Sequence, residues 1–217
     1  MRVQTILGID TSTDNCSVGL IKNGKLIAAR SEIAKSAHSE KLIHFIQEVL
    51  AEANTEIASL TAIGINIGPG SFTGLRIGLS TAKGLAYPSG IPIIPVKSLP
   101  VLIRENNLET DYLYFIKSHK NMVFFNHFTD PDADLTKIEI VYESIDEIAK
   151  KYPAGKLIGN FDFLENFGEH NKVLYPTGQA VAEIVSAYYS TLKKNIGQKI
   201  EPYYLTSFQA QKWRRNK

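Results

Sequence analysis

Residues 68–78, Gly68-Pro69-Gly70-Ser71-Phe72-Thr73-Gly74-Leu75-Arg76-Ile77-Gly78, lie between an apolar run, Ile63 to Ile67, and a stretch of helical periodicity, Phe72 to Tyr87. A helix that begins here presents unpaired N–H groups and the positive end of its dipole to an anion. Glycines allow close approach of the backbone, Ser71 and Thr73 add hydroxyl groups, and Arg76 puts a cation where the dipole favours an acid. No carboxylate occurs between Glu56 and Glu105, whereas Arg76, Lys83, Lys97 and Arg104 do. Gly70, Ser71, Thr73 and Arg76 are therefore candidate anion ligands. The even alternative is a tight corner in which Ser71 is an ordinary N-cap. A Walker A loop is excluded, because no Gly-Lys-Ser/Thr follows. The dinucleotide fingerprint fits poorly: the glycine spacing is one residue too long, and Lys97 stands where an acid would hold a ribose.

The turn Asp10-Thr11-Ser12-Thr13 offers a carboxylate and hydroxyls at the end of a strand. Its position resembles the first phosphate loop of the actin, Hsp70 and sugar-kinase superfamily, without the glycine usual there. Asp10, Thr11 and Ser12 are nucleotide-binding candidates; a turn that satisfies its own backbone is the equal alternative. Other chemistry has little support. His38 and His44 are six apart and face different ways on a helix, and His119, His127 and His170 are isolated, so no metal-binding pair is present. Cys16 belongs to a strand and reads as core.

These residues are positioned by an antiparallel meander, Ile6 to Ile9, Ser17 to Ile21 and Leu26 to Ser31, with an Asn23-Gly24 hairpin turn. A helix capped by Ser36 carries Leu42, Phe45, Ile46, Val49, Leu50 and Ala53. A strand over Ala62 to Ile67, the helix from Phe72 and a strand over Ile93 to Val96 complete the first unit. The second has strands at Tyr112 to Ile116, Met122 to Phe128, Ile138 to Tyr142, Lys156 to Ile158 and Val173 to Tyr175. Its helices are Ile145 to Lys150, Phe161 to Phe167 and Gln179 to Lys194. Two α/β units give a bilobed fold, divided as residues 1–105 and 106–217, with a C-terminal segment that could pack back on the first lobe. No internal repeat is visible.

Three glycines in the helix from Phe72 oppose it by about 3 kcal/mol. Gly74 and Gly78, with Thr81 beside them, form a smooth side that admits another backbone, either this protein's own sheet or another chain. With the wide apolar arc of the preceding helix, this makes Leu42, Phe45, Ile46, Val49, Gly74, Gly78 and Thr81 candidate interface residues. Gly78→Leu is accordingly expected to block pairing and leave the lone chain folded.

The chain has 217 residues, 44% hydrophobic and 21% charged, with a formal net charge of +2. That is ordinary globular composition and argues against nucleic-acid binding by the whole surface. One cysteine excludes an internal disulfide. The N-terminus does not read as a signal peptide and no run reads as a membrane span, so a cytoplasmic location is expected.

Taken together, Ile6-Leu7-Gly8-Ile9-Asp10-Thr11-Ser12-Thr13, Cys16-Ser17-Val18, His38-Ser39-Glu40-Lys41-Leu42 and residues 68–78 resemble the TsaB (YeaZ) family over roughly residues 4–100. Beyond that the likeness thins, and Ile116-Lys117-Ser118-His119-Lys120-Asn121 stands where many relatives have Asp-Ala-Arg. The resemblance implies a bilobed actin/Hsp70/sugar-kinase-like fold, each lobe a mixed sheet with helices. It also implies a non-catalytic subunit of the machinery that forms threonylcarbamoyladenosine on tRNA. The implied partners are a TsaD-type catalytic subunit and a TsaE-type ATPase, with a homodimer when the chain is alone and tRNA met through the complex. No cofactor is required; ATP or ADP at a partner interface is the nucleotide the resemblance allows. Alternatives are an active ATPase or phosphotransferase of the same superfamily and, further off, a metallopeptidase.

Overall fold

The structure, a computed structural model, describes residues 4–33, 38–153, 155–160, 171–196 and 199–204. It opens with the meander β1 (Thr5–Asp10), β2 (Asn15–Lys22) and β3 (Lys25–Ile33). Asn23 (φ 49°) and Gly24 (φ 77°) both adopt the left-handed conformation that a type I′ turn demands. Helix α1 (His38–Glu52), β4 (Ala62–Asn66), α2 (Phe72–Ala86), β5 (Ile93–Val96) and α3 (Ser98–Glu105) follow. The first sheet has the order β3-β2-β1-β4-β5, with β4 parallel to both β1 and β5.

The second unit comprises β6 (Tyr112–Lys117), β7 (Met122–Phe128), β8 (Val141–Ser144), α4 (Ile145–Lys151), β9 (Lys156–Gly159) and β10 (Lys172–Val173). Its order is β10-β9-β6-β7-β8. Counted from β6, this is the first sheet's order again: an antiparallel meander on one side of the first strand and two parallel strands on the other. The fold is thus one topology used twice, the bilobed actin/Hsp70-like α/β arrangement. Helix α5 (Gly178–Ala187) and the short α6 (Tyr189–Leu192) close the chain.

The molecule is layered. Helices α1 and α2 cover one face of the first sheet around Leu7, Ile9, Val18, Ile63 and Ile65. Helices α3 and α5 lie between the sheets, where Ile6, Ile21, Tyr114, Ile116, Phe124 and Ile158 meet Leu102, Val181 and Val185. Helix α4 covers part of the second sheet's outer face through Ile145 and Ile148. Strand β1 is buried along its whole length because helices cover both of its faces. Gly8, Gly19 and Gly64 form a row in register across β2-β1-β4, and α5 lies on it. A Cβ at Gly8 would sit 2.6 Å from the Ala182 nitrogen, and one at Gly19 2.6 Å from the Gln179 Cα. Helix α5 therefore packs on the first sheet.

Several elements differ from the sequence reading. The strand expected at 138–142 begins at Val141, because Leu135–Lys137 form a 3-10 turn capped by the Asp134 carboxylate. The strand expected at 173–175 is Lys172–Val173. The expected long helix from Gln179 breaks at Tyr188 (φ −104°, ψ 17°). Helix α3 was not anticipated; its Pro100 stands in the first turn, where no helical N–H is lost. The expected helix at 161–167 and the expected cap Ser36 lie outside the described residues.

Candidate functional site

Asp10 ends β1 fully buried. Its Oδ1 accepts from the Ser12 N–H (3.0 Å) and Ser12 Oγ (3.0 Å), and its Oδ2 accepts from Asn66 Nδ2 at the end of β4. The Asn66 side-chain Oδ1 accepts in turn from the Gly68 N–H and from Ser98 Oγ at the start of α3, both at 2.9 Å. One buried network thus joins the first turn, β4, the glycine corner and α3.

The glycine corner closes on the same turn. The Ser71 N–H donates to the Ser12 carbonyl (2.7 Å), and Thr11 Oγ1 donates to the Gly74 carbonyl (2.7 Å). A Cβ at Gly70 would strike the Ser12 carbonyl, one at Gly74 the Thr11 carbonyl and one at Gly78 the Thr11 hydroxyl. The glycines are therefore required by this protein's own first turn. Ser71 is the N-cap of α2 and accepts from the Gly74 N–H (3.2 Å).

The anion candidates consequently separate. Asp10, Thr11 and Ser12 are buried and bonded internally, Ser71 is hydrogen-bonded to Ser12, and Gly70 packs against the Ser12 carbonyl. Thr73 and Arg76 are exposed on α2. Arg76 turns away from the corner: its guanidinium lies 3.9 Å from the Phe72 ring centroid, and Nε donates to the Tyr204 hydroxyl (3.2 Å). In this structure the Arg76 side chain is engaged by Phe72 and Tyr204. Sequence reasoning missed Asn66 and Ser98, although an asparagine ending the apolar run Ile63 to Ile67 was a visible signal. It also missed the segment 199–204, whose Tyr203 N–H donates to the Ile67 carbonyl (2.7 Å) and whose Tyr204 stacks on Phe72 at 5.1 Å.

The interface candidates need a correction as well. Leu42, Ile46 and Val49 belong to the core beneath α1, and Gly74 and Gly78 pack against Thr11, so this side of the helices is closed inside the single chain. The expectation that a side chain at position 78 would face solvent is wrong. Phe45 is half-buried on the flank that also carries Lys41, Glu48 and Glu52, which are tied to β3 through Glu32 and Arg30. Thr81 is half-buried. On the outer side, Ile43 is 43% exposed and Tyr87 89%, and a Cβ at Gly84 would meet none of the described residues within 4 Å.

Burial pushes the Asp10 carboxyl up to about 6; the bonds from the Ser12 N–H, Asn66 and the Ser12 hydroxyl pull it down, and the nearby Glu105 charge adds slightly to the rise. A carboxyl raised in the folded state binds more protons folded than unfolded, so stability falls as pH rises between about 4 and 6. Asp10 should remove on the order of 3 kcal/mol at pH 7 relative to pH 4. Asp10→Asn should abolish that slope. It should also lower stability by about 1–3 kcal/mol at low pH, because its new N–H2 group would face the Asn66 N–H2 group. Urea midpoints for both proteins from pH 4 to 7 check this; parallel curves would show that Asp10 does not titrate there.

Among the described residues, no group of three or more His, Cys, Asp or Glu is arranged to hold a metal, and no helix is long and apolar enough to cross a membrane.

The repeated sheet order and the turn sealed beneath a glycine corner define a class that the comparisons identify. The family model described as TsaD, tRNA N6-adenosine threonylcarbamoyltransferase, matches residues 29–205. The tRNA threonylcarbamoyladenosine biosynthesis protein TsaB of Escherichia coli is 31% identical over 160 residues, covering 68% of this chain and 68% of that protein. TsaB of Haemophilus influenzae is 33% identical over 129 residues, which spans 58% of this chain and 54% of that protein, little more than half its length. The solved structure of YeaZ from Pseudomonas aeruginosa shares the fold, with TM-score 0.72 at 21% identity over 94% of this chain and all of that one. Within the wider group that the TsaD model describes, the chain belongs to the TsaB (YeaZ) family.

Proposed function

We propose that this protein is a non-catalytic accessory subunit in the formation of threonylcarbamoyladenosine on tRNA, where it supports a TsaD-type catalytic subunit in the cytoplasm. The observation that carries the reading is the closed first turn. The carboxylate that would serve a phosphotransferase of this fold is fully buried, and its acceptors are taken by Ser12 and Asn66. Similarity to proteins named for this biosynthesis supports the pathway. The subunit needs no cofactor of its own, and ATP or ADP, where the complex uses it, is held at a partner interface. A TsaE-type ATPase joins the complex, and the chain pairs with itself when alone.

The partner surface we assign is the groove between α1 and α2. Ile77, Thr81 and Gly84 fall at i, i+4 and i+7 on one flank of α2, and Ile43 stands on the flank of α1 away from β3. Gly84 is the telling residue. It weakens α2 by about 1 kcal/mol relative to alanine, and nothing among the described residues requires its lack of a side chain. A backbone from another chain is what such a gap admits.

Reconstitution tests the role. The chain alone should give no threonylcarbamoyl transfer to tRNA and no ATP turnover, whereas addition of it to a TsaD-type subunit with the threonylcarbamoyl donor should raise transfer at least tenfold. Transfer unaffected by the chain would overturn the accessory role. ATP turnover by the chain alone, lost in Asp10→Asn, would favour the phosphotransferase.

A further inference from the structure

The flank of α2 opposite the α1 groove has a different character. Phe72, Arg76, Lys83 and Tyr87 recur there at i, i+4, i+11 and i+15 and so share one side of the helix. The segment 199–204 lies beside it. Arg76 is stacked on Phe72 and bonded to Tyr204, Lys83 Nζ donates to the Ile200 carbonyl (2.9 Å), and Lys97 Nζ lies 4.7 Å from the Tyr203 ring centroid. None of Arg76, Lys83 and Lys97 has an ion-pair partner among the described residues. The acid beside them, Glu201, is paired with Lys199 (2.6 Å) and also faces the charge of Lys83, which leaves Arg76 and Lys97 with no acid against them among the described residues. The remaining thirteen residues of the chain leave from Tyr204; they contain Lys212, Arg214, Arg215 and Lys217 and no acid.

We propose that this flank, formed by Arg76, Lys83 and Lys97 with the aromatic rings of Phe72, Tyr87, Tyr203 and Tyr204, is an RNA-binding surface. Cations without ion-pair partners meet a backbone of phosphates, and the exposed rings of Tyr87 and Tyr204 offer surface on which unpaired bases stack. The stacked guanidinium and the tethered Lys83 are held in place before RNA arrives, so less side-chain freedom is lost on binding. The inference extends the proposed role in tRNA modification and rests on it only for the identity of the RNA.

Binding of the full chain, without any partner, to fluorescent transcribed tRNA tests it, with anisotropy measured between roughly 50 and 200 mM salt. Affinity should fall with salt. The triple variant Arg76→Gln, Lys83→Gln, Lys97→Gln should flatten the log–log slope by about two to three and weaken binding on the order of 100-fold near 0.1 M salt. Lys22→Gln with Lys25→Gln, at the distant β2–β3 hairpin, should leave binding unchanged. Should the triple variant fail to melt cooperatively, Lys83→Gln alone should reduce the slope by about one. No binding by the native chain, equal binding by the variants, or preference for anionic lipid vesicles over tRNA would overturn the proposal. Pairing with the catalytic subunit, followed separately by sedimentation, should survive the triple variant, so a failure here is distinct from a failure of the accessory role.

Discussion

Gly8→Val is expected to prevent stable folding. Gly8 occupies the centre of β1, where Gly19 and Gly64 flank it in register and α5 lies directly on all three. A Cβ there would collide with the Gly178 carbonyl and approach the Ala182 nitrogen to 2.6 Å, and both obstacles are backbone that no rotamer change can move. The helix would have to lift from the sheet. Val181, Ala182, Ile184 and Val185 are almost fully buried around that contact and would lose their packing. Overpacking alone costs about 1–3 kcal/mol, and each large aliphatic group exposed adds roughly 1.5–3 kcal/mol. The total should exceed about 5 kcal/mol, which is comparable with the whole stability of an ordinary domain. Urea unfolding followed by circular dichroism checks this, and a cooperative transition at the native midpoint would show that α5 is not seated as described.

Gly84→Leu should do the reverse: strengthen the single chain and abolish its pairing. The position has a helical backbone and no described residue within 4 Å, so replacement of glycine should stabilise α2 by up to about 1 kcal/mol. In the proposed complex the same side chain would stand where a partner backbone must come close. The expected outcome is a slightly higher melting temperature with at least a hundredfold loss of affinity for the catalytic subunit. Gly78→Leu, by contrast, should unfold the protein, since the added atoms would meet the Thr11 hydroxyl and Ile65. The pair separates a glycine that the fold requires from one that it does not.

Much of the first lobe was legible because local rules and the fold agree there. The Asn23-Gly24 turn, the strand alternation and the capped glycine corner each carry their own signal. The duplication was not legible, because two sheets can share an order while their residues share only hydrophobicity. Nor could periodicity tell which of the glycines in α2 faces inward, since that depends on Thr11, more than sixty residues earlier. The glycine corner misled for the same reason. The group that comes close to it within the chain is the Ser12 carbonyl, which no local pattern announces. Helix α3 was obscured by Pro100, which a helix tolerates in its first turn. The segment 199–204 has no periodicity and is recognisable only by what it touches.

Sedimentation velocity of the chain mixed with a purified TsaD-type subunit tests the central claim most directly, with native protein and Gly84→Leu run side by side. The account predicts a stable heterodimer for the native chain and two separate species for the variant, whose own melting temperature is undiminished. A native chain that stays apart from the catalytic subunit, or a Gly84→Leu chain that pairs as the native one does, would contradict it.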